Sequence, residues 1–178
     1  MGVNIEMPHL IVLPEDYANE QIAHGFHRSI NNTGQVQVLP KADGWMKVIN
    51  KFVSDYANKM TNQNRRMVLL IDFDENENRR EYAINRINTS LPEHNKEAIL
   101  EAISERLFIL GAYSNPEKLR GDKEIKKMIG ENRFDEIGKK LAEDCLGANS
   151  NGIWQHHLLK HNMNDLNRLS RLVKQFLC

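Results

Sequence analysis

Short unbroken apolar runs alternate along the chain with longer stretches in which apolar residues recur every three or four positions. The first run, HLIVL at His9 to Leu13, predicts a buried strand that stops at Pro14. From Tyr17, Ala18, Ile22, Phe26 and Ile30 fall four apart, one stripe of a helix, and Asn31 to Gly34 end it. Val36, Val38 and Leu39 predict a second strand before Pro40. Asp43 is then the expected N-cap of a helix whose inward stripe holds Trp45, Val48, Ile49, Phe52, Val53, Tyr56 and Met60. After a polar link, MVLLI at Met67 to Ile71 reads as a third buried strand, closed by Asp72, Phe73, Asp74 and a polar turn from Glu75 to Asn78.

A helix is expected over Arg79 to Ile87, with Tyr82, Ala83, Ile84 and Ile87 inward, and another over Pro92 to Glu105, with Pro92 in its first turn. LFIL at Leu107 to Leu110 predicts a fourth strand. After Glu117 the composition changes. Charged helices near Asp122 to Ile129 and Phe134 to Cys145 lead to a Gly/Asn/Ser loop at Gly147 to Gly152. A short helix at Trp154 to His161 and a terminal one carrying Leu166, Leu169, Leu172, Val173, Phe176 and Leu177 follow. Strands alternating with helices predict an α/β fold, a mostly parallel four-stranded sheet flanked by helices with right-handed crossovers. The expectation is one domain over 1–178, an α/β core at 9–120 and a helical cover at 121–178.

Composition narrows the function. At 178 residues the chain can bury one real core. Its 24 basic and 24 acidic residues cancel, so no global field draws it to nucleic acid or to an anionic membrane. Any nucleic-acid contact needs a local basic patch. HLIVL is too short for a signal peptide or a membrane span. Cys145 and Cys178 lie far apart and suggest neither metal spacing nor a disulfide framework, which fits a reducing cytoplasm.

The candidate chemistry lies at strand ends. On an extended chain Asp72 and Asp74 face the same way and can share one hard cation, with Phe73 turned opposite. In a parallel sheet the carboxyl ends of strands one, three and four share an edge, which gathers Glu15, Asp72, Asp74 and Glu117. Three carboxylates suit Mg²⁺, a hard ion held by oxygen. The same residues equally suit helix caps and turns, because their side chains accept backbone N–H bonds.

Glu15 after HLIVLP, with Asp72 and Asp74 after MVLLI, resembles the TOPRIM domain of topoisomerases, primases and overcoming-lysogenisation-defect nucleases. In that family a glutamate follows the first strand and an Asp-x-Asp pair the third, and together they bind magnesium. LFILGAYSNPEKL, with Glu117, is similar to the further strand and acidic residue of small nuclease-like members. The resemblance covers roughly 9–120. Where the family glutamate is usually followed by glycine, this chain has Asp16, itself a candidate ligand. The resemblance implies a stand-alone protein, dependent on Mg²⁺ or Mn²⁺, that cleaves nucleic-acid phosphodiesters or transfers a related phosphoryl group. Glu15, Asp72 and Asp74 would be its metal and catalytic residues. Lys118 and Arg120, or Arg79 and Arg80, would then meet substrate phosphates.

Two alternatives stand beside it. One is a non-catalytic TOPRIM-like or flavodoxin-like module that binds a nucleotide, a protein partner or a second copy. The other is a haloacid-dehalogenase-like phosphatase with Asp72 as nucleophile and Ser114 and Lys123 in support. His157 and His161, at i and i+4 beside His156, raise a zinc reading, but no Glu completes the HExxH pattern, and a surface or substrate-facing helix end is preferred. His24 and His27 are expected exposed, Trp45 and Trp154 as core anchors. Lys123, Lys126 and Lys127 are expected on a solvated face that could contact a phosphate backbone.

Overall fold

The computed structural model describes residues 9–30, 33–62 and 64–178, with the side chains of 33 and 174–177 left aside. Four strands form one sheet: β1 (His9–Pro14), β2 (Val36–Val38), β3 (Arg65–Leu70) and β4 (Leu107–Leu110). Their order is β2-β1-β3-β4 and every pairing is parallel. Eight α-helices flank it among the described residues: α1 (Tyr17–Ser29), α2 (Trp45–Lys51), α3 (Arg79–Ser90), α4 (Lys96–Arg106), α5 (Pro116–Gly121), α6 (Lys123–Met128), α7 (Phe134–Glu143) and α8 (Met163–Leu177). The fold is the expected α/β architecture with a helical C-terminal part.

The strands read as unbroken apolar runs because both sheet faces are covered. Leu10, Val12, Val68, Phe108 and Leu110 face a layer that holds Ile22 of α1, Ile137 and Leu141 of α7, and Leu166, Leu169 and Val173 of α8. Ile11, Leu13, Met67, Leu69, Leu107 and Ile109 face the other layer, with Val48 and Ile49 of α2, Ala83 and Ile87 of α3 and Ile99 and Ile103 of α4. The C-terminal helices thus share the core of the strands. They also finish the sheet edge. Asp165 and Asn162 accept the N–H groups of Ile109 and Gly111, each at 3.0 Å, and the Asn162 amide donates to the Gly111 carbonyl at 2.9 Å. Side chains thereby replace the strand that an open edge would recruit. Helices α1 and α7 cross where two glycines remove the side chains: a Cβ on Gly25 would lie 2.0 Å from the Asp135 carbonyl oxygen, and one on Gly138 1.9 Å from that of Ile22.

Several local expectations change. Asp43 does not cap α2. It has a left-handed φ of 65°, pairs with Lys41, and its N–H donates to the Glu15 carbonyl, leaving Gly44 (φ 124°) at the N-cap position. The long stripe from Trp45 to Met60 is helical but not uniform: α2 passes into a π-turn at Phe52–Tyr56 and a 3₁₀ segment at Ala57–Thr61. Pro92 lies outside α4, since Asn95 turns left-handed (φ 60°) and restarts the chain at Lys96. Tyr82 is 54% exposed, because α3 buries the Ala83–Ile87 line instead. Trp154 to His161 is a pair of 3₁₀ turns (Ile153–Gln155 and Lys160–Asn162) rather than a helix. Trp154 is a core anchor as expected and Trp45 is half-buried; His24 and His27 are half-buried rather than exposed.

Cys145 and Cys178 are joined as a disulfide across 33 positions, and no free cysteine remains among the described residues. The expectation of separate cysteines is corrected. α8 returns the chain end to the α7 terminus, a proximity no linear spacing reveals. The cysteines therefore give no support to a reducing compartment. Among the described residues no helix is long and apolar enough to cross a membrane.

Candidate active site

From β1 the chain moves to β2 on one side, and from β3 to β4 on the other. The crevice between the carboxyl ends of β1 and β3 is therefore the topological switch point, where open α/β sheets bind ligands. Glu15 follows β1 directly, and Asp72 stands two residues beyond β3. The register that pairs Pro14 with Leu70 brings them together, and the Asp72 N–H donates to Glu15 Oε2 at 2.8 Å. α1 supplies the third side. Its buried Asn19 donates to Asp72 Oδ1 at 2.9 Å and to Asp16 Oδ1 at 3.1 Å. Behind them the backbone is tight: a Cβ on Gly111 would lie 1.7 Å from the Ile71 carbonyl oxygen.

These carboxyls are crowded, and Asp72 is nearly dry. Asp72 is 8% exposed. Burial, then repulsion from Glu15, Asp16 and Asp74, pushes its pKa up to about 7, against the favourable Asn19 bond. Glu15 is raised too, by burial first and then by Asp16 and Asp74, although the Asp72 N–H opposes this. Carboxyls that share a crevice and resist ionisation mark a candidate functional site.

The other predicted residues divide. Asp74 and Glu75 both turn left-handed, at φ 49° and 59°, so the Asp-x-Asp segment is not the extended pair that the sequence suggested. Asp74 points its carboxylate at Arg79, 2.7 Å away, and stays half exposed. Glu15, Asp72 and Asp74 do not form a cluster whose ligand atoms all lie within 4.8 Å; among the described residues Asp122, His156 and His157 do. Asp16 is a helix cap rather than a free ligand, accepting the Asn19 N–H at 2.9 Å. Glu117 is exposed in the first turn of α5. Lys118 reaches the carboxylate turn, with Nζ 2.5 Å from Glu75 Oε1, so Glu75 is ion-paired rather than merely solvated. Arg120 goes elsewhere, stacked 4.2 Å over the Phe134 ring. Arg79 lies 4.7 Å over Trp45, at the edge of the site. Arg80 is withdrawn from it, clasping buried Asp165 by two bonds of 2.9 Å. Ser114 is buried against Glu75 at 3.3 Å, and Lys123 is exposed on α6. Asn19 escaped the sequence reading; its one signal was an amide three residues after Asp16, on the buried side of α1.

One groove borders this arrangement. Phe73, opposite the carboxylates in sequence, floors a cavity of ≈ 680 Å³ with Arg80, Tyr113, His157, Lys160 and His161. His161 packs edge-on to Phe73 at 4.4 Å, and burial lowers its pKa to about 4, which keeps the ring neutral. At the opposite end of β3, away from these carboxyls, a cavity of ≈ 820 Å³ is lined by Arg66, Arg106, Arg168 and Arg171 together with Glu101 and Glu105, so its basic character is partly offset. No protein-family model, curated protein or solved structure matches the chain.

Proposed function

We propose that the chain is a TOPRIM-like, Mg²⁺- or Mn²⁺-dependent protein that cleaves nucleic-acid phosphodiesters or carries out a related phosphoryl transfer at the β1–β3 crevice. The observation that carries this reading is the contact of the Asp72 N–H with the Glu15 carboxylate, which sets a buried and a half-buried carboxyl, both with raised pKa values, at the switch point. An all-oxygen, mutually repelling donor set fits a hard divalent cation, whose charge would offset the repulsion. Glu15 and Asp72 would hold the ion, joined by Asp74 once it leaves Arg79. When bound, such an ion polarises a phosphoryl oxygen and lowers the pKa of bound water.

The chain's own groups would do the rest. Asn19 fixes the Asp72 carboxyl through Oδ1. Glu15, its pKa raised by burial, would either complete the shell of the ion or hand over or accept a proton. Lys118 and Arg79, now paired with Glu75 and Asp74, are the cations nearest to receive a phosphate. This reading puts the chain with nucleic acid in the cytoplasm, where thiol titration would show whether the Cys145–Cys178 bond persists.

The test is cleavage of labelled single- and double-stranded DNA and RNA with Mg²⁺ or Mn²⁺, with Glu15→Gln and Asp72→Asn alongside. Cutting that both substitutions abolish is the expected result. Cutting that survives in both moves the chemistry away from the crevice. A second reading, a non-catalytic binding module, is favoured by the Asp74–Arg79 and Glu75–Lys118 pairs, which already neutralise half of the acidic turn. No cutting, with no Mn²⁺ uptake, selects it.

A further inference from the structure

We propose a second metal site, for Zn²⁺, in the helical cover, built from Asp122, His156 and His157 with Glu124 in reach as a fourth ligand. One ligand atom from each of the first three lies within 4.8 Å of the others. His156 Nε2 is 3.2 Å from Asp122 Oδ1 and 3.6 Å from Glu124 Oε2. Tetrahedral zinc with bonds of about 2.0–2.1 Å requires neighbouring ligand atoms ~3.3 Å apart, so this part of the shell is already spaced for the ion. The His156 side chain is 1% exposed, and its Nε2 is buried without a well-aligned hydrogen bond. The Asp122 carboxylate is its near partner, and a cation held between the two would bond both. His157 is exposed, its ring 4.2 Å from that of His156.

Two imidazole nitrogens with two carboxylate oxygens select zinc over magnesium, which takes oxygen alone. His156 Nδ1 accepts the Leu158 N–H at 3.3 Å, which places the ring proton on Nε2. On binding, the ion takes Nε2, the proton moves to Nδ1, and that long, weak bond is given up. Asp122 already caps α6 through the N–H groups of Glu124 and Ile125. His156 sits in the segment that leads to Asn162 and Asp165 along the β4 edge. Zinc would therefore tie α6 to the strap that closes the sheet. The i, i+4 spacing of His157 and His161 pointed to a different set: His161 turns away to Phe73, and the carboxylates come from 34 and 32 positions earlier (156 − 122, 156 − 124).

The test uses the full-length chain without an affinity tag, stripped by chelator and titrated with Zn²⁺ alone by calorimetry, and with Co²⁺ read by visible absorption. One Zn²⁺ per chain and an intense tetrahedral Co²⁺ spectrum are expected. Asp122→Asn and the exposed His157→Ala should each weaken Zn²⁺ binding by ~10-fold or more; His157→Ala removes no buried group, so it keeps the fold. Asp72→Asn should bind Zn²⁺ as the wild type does. Absence of Zn²⁺ uptake, wild-type affinity in His157→Ala, or loss of uptake in Asp72→Asn would each overturn the proposal, the last by moving the ion to the β1–β3 crevice. Failure of nucleic-acid cleavage leaves this titration unaffected.

Discussion

Asp72 is where burial and charge conflict most openly. Its folded pKa is about 7 against an ordinary 3.8. Between those values the native state keeps the proton and the unfolded chain has lost it. Asp72 therefore makes stability fall as pH rises from about 4 to about 7, and the loss is complete above that. Asp72→Asn removes the charge but keeps an oxygen for Asn19. The variant should gain on the order of 1–2 kcal/mol over the wild type at pH 8, residual solvation allowed for, and nothing at pH 4. Thermal melts at pH 4, 6 and 8 read this; a gain that is the same at every pH would contradict it. Comparing variant with wild type matters because His161, depressed by burial to about 4, acts in the opposite sense and makes stability fall as pH drops from 6.5 toward 4. At this scale the sequence showed which carboxylates sit at strand ends. It did not show that Asp74 would turn to Arg79, because two successive left-handed residues break the extended geometry on which the pairing argument rested.

Elements were legible where periodicity was long and failed where a turn depended on distant support. β1, β3, β4, α1 and the terminal helix lie where apolar runs and stripes predicted them. The start of α2 was missed because the Asp43 and Gly44 N–H groups find the Glu15 carbonyl, a partner 28 and 29 positions away (43 − 15, 44 − 15). The α1–α7 crossing had no signature at all, since a glycine in a helix reads as a weakness rather than a contact. Gly138→Ala should destabilise by about 3 kcal/mol, for its Cβ would meet the Ile22 carbonyl at 1.9 Å. Gly121→Ala, with open space around its Cβ, should be neutral or stabilising by up to about 1 kcal/mol. Urea melts of both variants measure the contrast; equal effects would mean that the crossing relaxes.

Across the whole molecule, the C-terminal helices bury one sheet face, satisfy the β4 edge and are pinned by Cys145–Cys178. Closing 33 positions removes loop entropy from the unfolded chain, so Cys145→Ser should cost about 3–4 kcal/mol in denaturant melts. An unchanged midpoint would show that packing alone holds the cover. What the sequence determined by itself is the alternation of buried strands and amphipathic helices, hence a parallel α/β sheet, and the placing of Glu15 and Asp72 at strand ends. Those features are local, written in hydrophobic period and in the residues that break it. Only the tertiary structure decided the strand order that makes β1–β3 the switch point, the desolvation that raises Asp72, the disulfide, and the meeting of Asp122 with His156 and His157. Each of these is a distance or a loss of solvent between residues far apart in the chain, and neither has a counterpart in linear spacing.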